Sequence, residues 1–432
     1  MSVKLSKSKV YRSKEPLKIG LGEMTEEEKF LLMESDNFCM YPWIHLHAYP
    51  TGAAYPCCLA KYEYPVGNLR ENSMEEIWNN DNMKGLRKAM LDNKPVKECT
   101  KCYEQEASGF FSQRQSANQH FGHNIKKVHE TKEDGTFDRF EMTYWDIRFS
   151  NLCNFSCRSC GIPFSSNWYN DHVQLHGKPD QPKVVYAGKT KTDAMDQLME
   201  HIPYLEQVYF AGGEPLIMEE HYIILNELIK RNMTNVRLIY NTNFSRTAFK
   251  NSDAIEMWSH FKDVSVGASL DAMGPRAELM RKGTDWDLTE RNRERMLEIA
   301  PHVDFYISPT LNIFNSYHLP DFHKDWVRKG FIRPADLNVN ILQDPMWYRL
   351  DLLPQNMKEE ITEKYEAHIK WLTPRDPLTR AGNGFRSALT FMNGSDKSKF
   401  LPMFNKKVQE LDKIREEKTA EVFPELQPIL DA

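Results

Sequence analysis

Cys153, Cys157 and Cys160 fall within eight positions of one another, in the segment SNLCNFSCRSCG (150–161). Nothing else in the chain limits the fold as tightly. The three thiols follow a strand-like stretch, TYWDIRFSN, so they must share the loop at its end. All eight cysteines lie between Cys39 and Cys160 in a chain of 432 residues. A secreted disulfide framework would be short and cysteine-dense along its length, so this crowding points to metal instead. Structural zinc takes four nitrogen or sulfur ligands that close a tetrahedron. Iron–sulfur clusters take one thiolate per iron. Three thiolates on a four-iron core leave one iron free for chemistry.

The charge balance, 56 basic against 61 acidic side chains, gives −5 and argues against a nucleic-acid sleeve. The first residues are locally basic (Lys4, Lys7, Lys9, Arg12, Lys14, Lys18) without an apolar core, which reads as a polar tail rather than a secretory signal. No apolar run is long enough to span a bilayer, so a cytoplasmic protein without membrane association is expected.

Four zones are expected: a polar tail (1–36), a region rich in Cys, Trp, Tyr and Pro (37–140), a strand–helix alternation (141–342) and a C-terminal extension (343–432). The second zone carries one helical stretch, SMEEIWNNDNMKGLRKAM, and ends in a charged, linker-like segment, 125–141. In the third, strands are expected near 142–150, 206–213, 235–243, 263–271, 303–315 and 336–342. Helices are expected near 192–203, 219–232, 253–260, 287–299 and 317–329. Such alternation implies parallel strands with right-handed crossovers. The fold class is α/β, either a partial barrel or a doubly wound sheet, with function at the C-terminal ends of the strands. In the extension, NMKEEITEKYEAHIKWL is an amphipathic helix, and a charged helix is expected near 404–418. This extension is expected to close the open side of a barrel and shape the substrate cavity.

The Cys-x3-Cys-x2-Cys motif of Cys153, Cys157 and Cys160 after the first strand resembles the signature of the radical S-adenosylmethionine (radical SAM) enzymes. The resemblance implies a partial (β/α)6 TIM-type barrel, and a [4Fe-4S] cluster whose open iron binds S-adenosylmethionine. Ser159 departs from the aromatic residue common before the third cysteine. AGGEP (211–215) resembles the family's GGEP motif. There Gly212 and Gly213 permit close backbone approach, and Glu214 offers a carboxylate to the methionine ammonium. Asn241 and Asn243 (NTN), Ser269 (SLD) and Arg281 (MRKGTDW) match later strand-end positions. Ser269 corresponds to the ribose contact, and Arg281 to a guanidinium for the methionine carboxylate. Asn312 is a further candidate. For the three asparagines, ordinary turn polarity and cofactor contact both stay open.

The earlier cysteines resemble the SPASM and twitch domains, which bind auxiliary iron–sulfur clusters. Cys39, twelve residues, Gly52, four residues and Cys57 precede Cys99-x2-Cys102. In most members this domain follows the barrel, whereas here it precedes it. Ser108 and Ser112 stand where further cysteines would fall, so one auxiliary [4Fe-4S] cluster on Cys39, Cys57, Cys99 and Cys102 is expected. A four-thiolate zinc knot fits the same positions. Either Cys57 or Cys58 is the ligand, since adjacent side chains point differently. His45 and His47 are read as structural.

What the resemblance implies is reductive cleavage of S-adenosylmethionine to a 5′-deoxyadenosyl radical that abstracts hydrogen from a peptide or protein. A flavodoxin- or ferredoxin-type donor would supply the electron. Modification of a small molecule or nucleoside, and a non-catalytic iron–sulfur or zinc scaffold or sensor, are the alternatives. No catalytic acid or base can be named, although Asp271, Asp285 and Glu214 sit near strand ends.

Overall fold

The computed structural model describes residues 18–377 and 379–430. Lys4, Lys7, Lys9, Arg12 and Lys14, which carry most of the expected basic tail, lie outside the described residues. The chain divides into two compact units. One runs to Ser150 and includes Tyr186–Tyr209; the other holds Asn151–Val185 and the chain from Phe210 onward.

In the first unit, strand Tyr144–Ile147 pairs in parallel with His45–Ala48 on one side and with the start of Gln207–Phe210 on the other. His45–Ala48 also pairs antiparallel with Ala53–Tyr55, which pairs with Gly67–Asn68. The strand HLHA was not expected. All four of its residues are buried, so the alternation that marks a half-exposed strand is missing. Its two imidazoles reach the neighbouring strand: His45 Nδ1 lies 3.0 Å from the Tyr144 carbonyl and His47 Nδ1 lies 2.9 Å from that of Asp146.

Two expectations for this unit change. The single helix over 73–90 is two, Met74–Trp78 and Asp81–Leu91. Asn80 separates them, its side-chain oxygen accepting from the Met83 N–H at 3.0 Å while its amide donates to the Val66 carbonyl at 2.7 Å. A helix N-cap satisfies an otherwise orphaned donor, so a new helix starts there. Residues 125–141 are not a linker. They begin with a short helix, Ile125–Val128, and bury Ile125, Val128 and Phe137.

In the second unit, Arg237–Thr242, Val264–Ala268 and Asp304–Ile307 are parallel neighbours in that order. Helices Glu219–Lys230, Ala254–Trp258, Trp286–Ile299 and Leu319–Arg328 fall where periodicity places them. Pro309 splits the expected 303–315 strand, since proline has no N–H for the ladder. Thr310–Leu311 then pairs with a short Asn340–Ile341. Parallel strands with helical crossovers make the chain mixed α/β, of the partial TIM-type barrel class.

The extension forms helices Gln355–Leu372, Arg380–Asn393 and Leu401–Arg415. The middle one was not expected, because Gly382 and Gly384 lower helix propensity. It is held by a buried stripe of Ala381, Phe385, Ala388 and Met392. The third of these helices stops at Arg415, where Glu416 turns left-handed (φ 55°). Among the described residues no helix is long and apolar enough to cross a membrane.

Candidate iron–sulfur sites

The three-cysteine loop is built by hydrogen bonds on both flanks. Asn151 binds the Ile162 carbonyl at 2.8 Å, and Ser165 Oγ donates to the Phe155 carbonyl at 2.6 Å. Trp168 Nε1 donates to the Cys157 carbonyl at 2.7 Å. Ser156–Cys157 pairs antiparallel with Arg281–Lys282, which puts Arg281 opposite Cys157. The thiols of Cys153, Cys157 and Cys160 lie within mutual electrostatic range: burial pushes each thiol up, and the neighbouring sulfurs add to it for Cys153 and Cys160.

The glycine pair meets this loop directly. Gly213 has φ +52°, and a β-carbon on it would sit 2.2 Å from the Leu152 carbonyl oxygen. The Glu214 N–H donates to that same carbonyl at 2.8 Å. Glu214 itself is buried, and burial raises its pKa to about 7 against the pull of its donors. Those donors are Thr242 Oγ1 and the Asn243 N–H, each at 2.6 Å, and the Leu216 N–H at 3.0 Å. Its carboxylate therefore ties the GGEP turn to the end of the next strand.

Asn243 joins the cysteine loop through Asn154, with Nδ2 2.9 Å from the Asn154 amide oxygen, and Asn154 in turn donates to Ser245 Oγ at 2.9 Å. Arg281 is held by Asp271 through two hydrogen bonds of 2.8 and 3.0 Å, and its Nη1 lies 3.7 Å from Cys157 Sγ. Asp271 also accepts from the Thr310 N–H at 2.7 Å. Sequence reasoning named Asp271 only as one acid among several. Its signal was the ten-residue offset to an arginine, which means nothing until the fold closes it. Ser269, partly exposed, donates its N–H to the Thr242 carbonyl at 2.8 Å. Asn312 organises a local turn, accepting from the Phe314 N–H at 3.0 Å, and Asp285 caps the Trp286–Ile299 helix.

In the first unit, Cys99 feels the charge of Cys57, Cys39 and Cys102, Cys57 that of Cys102 and Cys39, and Cys39 that of Cys102. Burial pushes the Cys39 thiol to about 12 and raises the other three. Cys58 points elsewhere. Burial raises it too, followed by the charge of Asp146, to which it is also hydrogen-bonded. Asp146 is fixed by Arg148 at 2.7 Å and by His47 at 3.1 Å. Ser112 caps the Gln113–Phe121 helix, and Ser108 closes the helix that carries Cys102.

The donor sets fit iron–sulfur clusters. All the cysteines are free thiols, and a buried thiolate needs a cation to offset the desolvation that now keeps it protonated. Backbone N–H groups already aim at the sulfurs, from Phe155 to Cys153, from Tyr41 to Cys39, from Leu59 and Ala60 to Cys57, and from Gln113 and Arg114 to Cys102.

Residues 147–308 match the family described as the radical SAM superfamily, and residues 39–103 match the SPASM iron–sulfur cluster-binding domain. The chain carries a radical SAM domain. Its SPASM domain precedes it in sequence. No curated protein matches the chain. Similar solved structures include native anSMEcpe with bound AdoMet and Cp18Cys peptide, at 18% identity over 53% of this chain and 60% of that one, with a TM-score of 0.34. Native anSMEcpe with bound AdoMet aligns at 17% identity over 53% and 61%, TM-score 0.37. TYW1 with a lysine-pyruvate adduct bound aligns at 12% identity over 54% and 72%, TM-score 0.27. The chain thus spans about 60% of the length of the first solved chains it matches.

Proposed function

We propose that this protein is a radical SAM enzyme of the cytoplasm, acting on a peptide or protein. The observation that carries the reading is the meeting of three half-buried cysteines with the GGEP turn, through the Leu152 carbonyl, and with Arg281, through Cys157. A [4Fe-4S] cluster on Cys153, Cys157 and Cys160 would supply one-electron reduction of S-adenosylmethionine, releasing a 5′-deoxyadenosyl radical for hydrogen abstraction.

The chain's own residues have separate tasks. Gly212 and Gly213 bring backbone close to the cysteine loop, with φ of +81° and +52°, leaving room for the methionine amino group. Glu214 spends both carboxylate oxygens on Thr242, Asn243 and Leu216, so it shapes the amino-binding turn and is not a free acid. Arg281, fixed by Asp271, offers its remaining guanidinium edge to the methionine carboxylate. Asn243 and Ser269 stand at successive strand ends for the ribose and adenine side. Cys39, Cys57, Cys99 and Cys102 would hold an auxiliary [4Fe-4S] cluster with every iron ligated, which suits electron transfer from a flavodoxin- or ferredoxin-type donor.

Anaerobic reconstitution followed by dithionite and S-adenosylmethionine should yield 5′-deoxyadenosine, measured by chromatography. Cys157→Ala should abolish that product. Undiminished product from the variant rejects the assignment.

A further inference from the structure

Arg158 stands inside the motif, between Cys157 and Cys160, and is almost wholly buried. Its backbone N–H is taken by the Met280 carbonyl at 2.8 Å. Its side chain runs to the end of the Leu401–Arg415 helix, where Nη2 pairs with Asp412 and, at 2.6 Å, with Glu417. Asp412 is itself fixed by the Thr419 N–H and Oγ1, each at 2.8 Å. Lys282, on the strand opposite the loop, lies 3.3 Å from both Glu417 and the Arg415 carbonyl. Arg415 pairs with Asp171 at 2.7 Å and covers Trp168, whose indole holds the Cys157 carbonyl. Arg158, Lys282 and Arg415 face Asp171, Asp412 and Glu417, so the network is charge-balanced. Even so, one buried guanidinium nitrogen, Nη1, of both Arg158 and Arg415 lacks a partner among the protein groups. A buried cation with spare donors, one residue along the chain from Cys157, is an electrostatic device as well as a brace.

We propose that the C-terminal helix end is the positioning element of the three-cysteine loop, with Asp412 and Glu417 setting where the Arg158 charge stands and so how readily the cluster is reduced. This rests on the radical SAM reading of that loop. Reduction adds negative charge to the cluster. Removing the Arg158 cation should therefore disfavour it, and removing an anion that offsets Arg158 should favour it. A brace without electrostatic effect predicts no such reversal of sign.

The test is a redox titration of reconstituted protein, following by electron paramagnetic resonance the reduced-cluster signal that changes on adding S-adenosylmethionine. At fixed potential, Arg158→Gln should lower the reduced-to-oxidised ratio by about tenfold and Asp412→Asn should raise it by about as much, the size expected of one buried unit charge nearby. Arg158→Lys should restore most of the ratio. If Arg158→Gln fails to hold the cluster, Arg158→Lys against Asp412→Asn carries the comparison, with the ratio higher in the latter. Shifts of the same sign, or no shift, overturn the proposal. A wild-type protein with no S-adenosylmethionine-responsive signal overturns the reading beneath it instead.

Discussion

At the scale of single residues, what the candidate site requires is close approach. Gly213 pairs a left-handed backbone with a carbonyl 2.2 Å from where a side chain would begin. Both penalties fall on any replacement. Gly330 shares the conformation (φ +74°) but has open space around it. Gly330→Ala should cost about 1 kcal/mol. Gly213→Ala should cost about 3 kcal/mol or more and should prevent loading of the three-cysteine site. Urea unfolding of the apo-proteins and iron analysis after reconstitution check the two halves. Equal costs at the two positions would mean that the Leu152 carbonyl moves aside without penalty. The GGEP letters were legible in the sequence. That the second glycine packs on the residue before Cys153 was not, because sixty residues separate them.

Among elements, the packing of Leu319–Arg328 against Gln355–Leu372 buries two imidazoles in contact. His323 Nδ1 lies 3.0 Å from His368 Nε2, and both side chains are fully buried. Burial lowers His323 to about 4 and His368 to about 2. Asp336 raises His323, while Lys324 and Lys364 further lower His368. The unfolded chain takes up a proton on each near the ordinary histidine value of about 6.5, and the folded chain resists until well below it. Stability is therefore full above that value and falls as pH drops from about 6.5 toward 4, by up to about 1.4 kcal/mol per pH unit for each imidazole. His368→Gln should flatten this acid limb in thermal unfolding followed between pH 7 and 4. An unchanged limb would show that other groups set it. Helical periodicity was enough to find both helices, but which histidines meet depends on the faces that pack. The break at Asn80 and the strand His45–Ala48 were missed for related reasons: a cap resembles helix interior by hydrophobic spacing alone, and a doubly buried strand has no alternation.

For the whole molecule, each unit gathers its own thiols: four in the first, three in the second. Two four-iron clusters give about eight irons per chain. Cys57→Ser and Cys157→Ala should each bring reconstituted protein to about four. Cys58→Ser should leave about eight, because its thiol turns to Asp146 instead of the other sulfurs. Iron analysis with Mössbauer spectroscopy measures this. Equal iron loss in the Cys57 and Cys58 variants would place both in the ligand shell. The sequence by itself determined the chemistry on offer: soft ligands grouped by spacing, a glycine turn one crossover later, and an α/β rhythm, all set by neighbours along the chain. Only the tertiary structure decided which of two adjacent cysteines faces the others, that Asp271 fixes Arg281, and that Arg158 is met by carboxylates more than 250 residues away. Those choices depend on burial, which raises the cost of every unpaired charge until a partner distant in sequence is brought beside it.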